Sequence, residues 1–262
     1  MRQKIFSGCF LVLLTIAIVT PLHATNSDVA KEKRWAEQVI DGLLDGDELW
    51  LADASGHEFL GILTEGDTGS GPAVILVHGI GVHPNWPDVI YPLREGLLEH
   101  GSTTLSIQMP ILPNEAEESE YGPLYAEAPG RLQAAVDYLQ QEGYDKIVIV
   151  GHSMGASMTA FYLSQSDPTA VDSAILIGLG RSQSRPQNIE WLAKLKVPIL
   201  DLYGSADLET VLSTVGQRAE EGRKNTSGVY RQIRTDGANH FFQGHEDALK
   251  QHVVDWLASR TN

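Results

Sequence analysis

Lys146-Ile147-Val148-Ile149-Val150-Gly151-His152-Ser153-Met154-Gly155 is the stretch that decides the fold. Its first half is Lys146 followed by the apolar run IVIV, which suits a strand buried on both faces. Its second half is G-x-S-x-G, and residues 154–165 then read as a helix. A serine hydroxyl attacks an acyl carbon only when it is exposed and offered to a base, and a sharp strand-to-helix turn does both. Glycines at 151 and 155 suit the close packing such a turn needs. The helix start also brings backbone N–H groups to where negative charge would develop. The rival reading is a tight turn that merely needs two glycines. It weakens as the surrounding motifs accumulate.

Upstream, Ala73–Val77 (AVILV) is a second buried strand, and it ends in His78-Gly79-Ile80-Gly81. A tetrahedral intermediate needs two fixed N–H donors. The residue after the nucleophile, Met154, supplies one. Ile80 is the natural source of the other, because Gly79 and Gly81 let that backbone come close to a substrate. His78 and His152 are read as shaping the site rather than titrating. Further strands are expected at 48–52, 58–63, 103–108, 174–177, 197–202 and 229–234. Helices are expected at 28–45, 87–100, 129–142, 189–195, 209–222 and 246–259. Strands alternating with helices imply parallel units with helices on both faces. The order of strands in the sheet cannot be read from periodicity.

Downstream lie the other two parts of a nucleophilic site. Asp207, in YGSAD, follows the strand ending PILDLY by a few residues. A base histidine needs a carboxylate to fix its tautomer and steady its cation. Asp201 sits inside the strand, away from the sheet end, and Glu209 opens a helix, where an acid suits the dipole. Asp207 is therefore preferred. His240, in GANHFF, falls between the last strand and the last helix. The order Ser153, Asp207, His240 matches a known arrangement of such sites. His57, His83, His100, His245 and His252 are expected at the surface. Glu115–Glu120 (EAEESE) reads as a solvated loop that could also rim a pocket. Asn225-Thr226-Ser227 fits a glycosylation sequon and is taken as chance.

Composition narrows the partners. With 262 residues and 42% hydrophobic content, the chain has enough apolar material for one sizeable core. Arg2 and Lys4, the apolar run Phe10–Val19, Pro21 and Ala24 follow the order of a secretory signal peptide. A retained anchor is the weaker reading, because the run is about half a membrane span. Residues 1–24 are thus expected to be removed from an exported, periplasmic or secreted protein, leaving a single domain over 25–262. Cleavage would remove the only cysteine, Cys9. It would also take the net charge from −15 to −17, since Arg2 and Lys4 are the only charged residues lost. So acidic a surface disfavours nucleic acid and anionic membranes. A small-molecule acyl substrate is expected, with no metal site, no cofactor and no membrane span in the mature chain.

These four motifs and the order of elements resemble the α/β-hydrolase superfamily over residues 47–260. Residues 78–101 and 103–113 are also similar to a bacterial family of exported α/β-hydrolase-like proteins with no assigned function. The resemblance implies a mostly parallel sheet of about eight strands with helices on both faces. It also implies a Ser153–Asp207–His240 triad but no substrate; the motifs themselves lead to the expectation of a serine hydrolase acting on a carboxylester or thioester. An acyltransferase using the same triad, or a binding protein that keeps the architecture without the activity, are the alternatives. The 178–196 connection is too short for a large lid, so an open site is expected, covered at most by the loop at 110–128.

Overall fold

The structure is a computed structural model that describes residues 25–66, 71–165 and 170–260. The reading of residues 1–24 as an export signal lies outside the described residues. The chain runs β1 (Asp47–Ala52), β2 (Glu58–Thr64), β3 (Ala73–Val77), β4 (Thr103–Ile107), β5 (Ile147–His152), β6 (Val171–Ile177), β7 (Ile199–Ala206) and β8 (Tyr230–Asn239). These form one eight-stranded sheet in the order β1-β2-β4-β3-β5-β6-β7-β8. β1 and β2 are antiparallel to their neighbours, and β4 through β8 run parallel.

The parallel centre explains the unbroken apolar runs. All five residues of β3 and all six of β5 are buried, because helices cover both faces. Side chains alternate along each strand, so one face carries Ile75, Val77 and Ile149 and the other Val74, Leu76 and Val150. The first set packs against α3 (Ala128–Gln141) and α4 (Met154–Gln165). The second packs against α2 (Ile90–Gly96) and the last helix, α7 (Glu246–Ala258), through Leu93, Val253 and Trp256.

The leading helix α1 (Val29–Asp41) is capped by Asp28, whose side chain accepts from Lys31 N, and stops at Gly42, short of the expected residue 45. Its Glu32 pairs with the buried Arg131 of α3 at 2.8 Å. The helix expected at 87–100 begins only at Ile90 and tightens to a 3₁₀ turn over Leu98–His100. The one expected at 209–222 is split into α5 (Glu209–Leu212) and α6 (Val215–Gly222). Among the described residues no helix is long and apolar enough to cross a membrane.

Candidate active site

The catalytic candidates all sit at the carboxyl ends of parallel strands, where open α/β sheets bind ligands. Ser153 stands between β5 and α4 with φ 55°, a left-handed conformation that costs a side-chain-bearing residue ~1–2 kcal/mol. Its N–H donates to Ile177 O at 2.8 Å, which ties the turn to β6. Gly155 explains the tightness of this turn. A Cβ there would fall on the carbonyl oxygens of Val77 and His78, so only glycine lets α4 sit against the end of β3.

Folding brings the three separated residues together. Ser153 Oγ lies 2.9 Å from His240 Nε2, and His240 Nδ1 lies 2.6 Å from Asp207 Oδ1. The carboxylate can only accept, so Nδ1 carries the proton and Nε2 faces the serine as an acceptor. Asp207 Oδ1 also accepts from Leu208 N at 2.7 Å, and Oδ2 from Gly204 N at 3.3 Å. Burial pushes this carboxyl up. The hydrogen bond and charge of His240, with those two N–H groups, outweigh it and hold Asp207 below its ordinary value.

The competing acids are elsewhere. Asp201 is fully buried within β7, where Oδ2 accepts from Arg218 Nε (2.8 Å), Tyr230 OH (2.5 Å) and Gln232 Nε2 (2.8 Å). Glu209 opens α5.

Ile80 and Met154 both line the cleft over Ser153. Met154 is the first residue of α4, where helix N–H groups have no intrahelical partner. The backbone at Gly79 passes so close to Ser153 that a Cβ there would lie 3.3 Å from the serine Cβ, and Gly81 takes φ 67° to turn the loop away. His78 anchors this loop as one neutral tautomer. Its Nδ1 donates to Gly79 O at 2.8 Å, and its Nε2 accepts from Met109 N at 2.9 Å. Full burial pushes its pKa down to about 3. His152, lowered by burial to about 4, donates from Nε2 to His240 O at 2.9 Å and packs its ring 4.9 Å from that of His240.

Two expected surface histidines are partly buried by their neighbours. His57 contacts Glu32 and Arg131 at 3.2 and 3.1 Å. His83 sits edge-on between Trp35 and Trp86, with its pKa lowered by burial to about 4. Nor is EAEESE simply a solvated loop. Glu118 begins a 3₁₀ segment (Glu118–Ala126) and lines the cleft, binding Ser182 Oγ at 3.0 Å and Gln183 N at 2.8 Å. Asn225 of the sequon is buried and donates to Val197 O at 2.8 Å.

Gly178 is a site residue that sequence reasoning missed. It has φ 61°, and a Cβ there would lie 2.9 Å from His240 Cε1 and 3.0 Å from Nδ1. Its only sequence signal is a glycine directly after the strand AILI.

The cleft over Ser153 is open and holds about 170 Å³. Its apolar wall includes Ile80, Met154, Leu208 and Val211, and its polar side includes Ser157, Glu118 and Thr210.

Known proteins resemble the chain at two levels. Its residues 17–129 and 124–259 match the family described as Protein of unknown function (DUF3530). An uncharacterized protein from Mycobacterium tuberculosis is 27% identical over 151 residues, covering 50% of this chain. The match spans only 39% of that relative's length. Among solved structures, the esterase Pf2001 from Pyrococcus furiosus superposes with TM-score 0.67 at 15% identity, covering 86% of this chain and 96% of its own. A dienelactone hydrolase from Anabaena variabilis gives 0.65 at 21% identity, with coverages of 82% and 98%. Est1E from Butyrivibrio proteoclasticus gives 0.63 at 14% identity, with 83% and 99%. At these identities the likeness is one of fold, and the fold is that of the α/β-hydrolase superfamily.

Proposed function

The chain belongs to the DUF3530 family, and we propose that it is a serine hydrolase that cleaves a small carboxylester or thioester through an acyl-enzyme. One observation carries this reading: an unbroken hydrogen-bonded line from Ser153 Oγ through His240 to Asp207. His240 Nε2 takes the serine proton as the oxygen attacks the acyl carbon, then returns it to the leaving group. Asp207 holds the ring in the tautomer that leaves Nε2 free to accept. The Ile80 and Met154 N–H groups face the developing oxyanion, and loss of one such donor raises the barrier by about 3 kcal/mol. His78 and His152 stay neutral at working pH and fix the backbone around the nucleophile.

A cleft of about 170 Å³ is smaller than the ~300–1,000 Å³ of drug-sized sites, which supports a short acyl group. The named activities of the structural neighbours, esterase and dienelactone hydrolase, agree with ester-type chemistry. The positive start and apolar run within residues 1–24 support an enzyme acting outside the cytoplasm. The test is turnover of p-nitrophenyl acyl esters of increasing chain length by the protein and its Ser153→Ala variant. Hydrolysis of the short esters, abolished in the folded variant, is the expected result. Equal rates in the two proteins would end the proposal.

A further inference from the structure

The floor of the cleft carries a polar side chain that acyl transfer leaves unused. Ser157 lies in the first turn of α4, four residues after Ser153, and both line the cleft. Ser157 is only 2% exposed. Its Oγ accepts from Tyr125 OH at 2.8 Å and from Asn188 Nδ2 at 3.1 Å. Both donors are themselves buried, and Asn188 is held in place by Gly180 O at 2.7 Å. A serine hydroxyl has two lone pairs and one proton. With Tyr125 and Asn188 both donating, the lone pairs are taken and the proton is left to donate. The usual outlet for a serine inside a helix is the carbonyl four residues back. Here that carbonyl, Ser153 O, accepts the Ser157 backbone N–H at 3.2 Å, and among the described residues the hydroxyl makes no bond to it. The open side of Ser157 is the cleft.

The charged groups that line the same cleft are already engaged. Glu118 Oε1 accepts from Ser182 and Gln183. The Arg181 guanidinium donates to Gln217 Oε1 at 2.6 Å and to Pro186 O at 3.2 Å. The buried, directed donor that remains is a neutral one.

We propose that Ser157 determines acyl specificity by donating a hydrogen bond to an oxygen on the acyl part of the substrate. The leaving oxygen must sit beside His240 Nε2 to receive its proton, so the acyl part is the one that reaches the floor below Ser153. The recognised atom is an uncharged oxo or ether oxygen roughly one helical turn, ~5 Å, from the attacked carbon. The substrate class is therefore an ester of a short, oxygen-bearing acid. A plain alkyl chain would cover the Ser157 proton and leave a buried donor unmatched, which a site built to hydrogen-bond penalises strongly.

This inference rests on the serine-hydrolase reading, and the experiment separates the two. The probes are p-nitrophenyl levulinate, an oxo-acid ester, and p-nitrophenyl valerate, which has the same chain length and leaving group. A fluorophosphonate labels Ser153 in the same preparation. The expected result is an ~10-fold higher kcat/KM for levulinate in the parent, falling to near parity in Ser157→Ala. A merely structural role for Ser157 would lower both rates and leave their ratio alone. Labelled protein that shows no preference, or a preference that survives the substitution, overturns the Ser157 proposal while the hydrolase reading stands. Protein that neither labels nor turns over either ester overturns both.

Discussion

Gly178→Ala should damage the reaction far more than the fold. The added Cβ would lie 2.9 Å from His240 Cε1 and 3.0 Å from Nδ1, against the 3.4 Å at which ordinary contact begins. Relief requires the imidazole to retreat by about 0.5 Å, or the backbone of residue 178 to move. The ring has little room to retreat evenly. Asp207 holds Nδ1 at 2.6 Å, and the His152 ring packs 4.9 Å away. Movement therefore lengthens or tilts the bond from Ser153 Oγ to Nε2. A misplacement of about 1 Å in a reacting group costs on the order of 100-fold, so a loss of about 10- to 100-fold in kcat/KM is expected. Forcing alanine into φ 61° adds ~1–2 kcal/mol of strain, which lowers Tm by a few degrees in a domain of this size. The assay is short-ester hydrolysis alongside a thermal melt. A variant that melts within those few degrees yet keeps parental kcat/KM would refute the claim that Gly178 makes room for the base.

Asp207→Asn can still accept from Leu208 N–H, so it should fold, but kcat should drop on the order of 10⁴-fold as the histidine loses its fixed tautomer. Retention of a tenth of the activity would return the acid role to another residue. Asp201→Leu should strand the buried Arg218 guanidinium and cost ~3–5 kcal/mol in urea unfolding, while the folded fraction keeps its kcat. A loss of kcat without a loss of stability would show that Asp201 takes part in the site. Stability should also fall on acidification. His78, His83 and His152, at about 3, about 4 and about 4, stay neutral in the fold while their unfolded counterparts, near 6.5, take up protons. The unfolded state therefore binds more protons, and stability declines by roughly 3–4 kcal/mol per pH unit from about pH 6 down to about 4. Below that, Asp207 and Glu32, held under their ordinary values, lose their contribution too. Urea midpoints measured across this range would be flat if these three histidines charged freely in the folded protein.

The parts of the fold legible in the sequence were those governed by short-range rules. AVILV and the IVIV of 147–150 are buried on both faces, so their composition announces them, and Gly151 and Gly155 mark a turn whose geometry admits little else. Asp207 could be preferred over Asp201 because a strand interior and a strand end differ within a few residues. What escaped was set by long-range contacts. Nothing near Gly178 reveals that His240, 62 positions later in the numbering of the same chain, will press against it. His57 and His83 looked like ordinary surface histidines, and only the packing of α1 over the sheet encloses them with Glu32, Arg131 and Trp35. The 3₁₀ segment at 118–126 has no helical periodicity to find. Its Tyr121, Leu124 and Tyr125 are buried by their neighbours, and Glu118 is drawn to the cleft by the 182–183 backbone and side chain. Sheet order was equally out of reach, because β3 and β4 exchange places between β2 and β5 without altering any local pattern.

Reaction with a fluorophosphonate, followed by peptide mass mapping, probes the activated serine without any knowledge of the substrate. A single adduct on Ser153, formed rapidly by the parent and slowed at least 100-fold in His240→Ala, is the result that a histidine-activated nucleophile requires. An unmodified Ser153, or labelling that proceeds equally well without the imidazole, would contradict it.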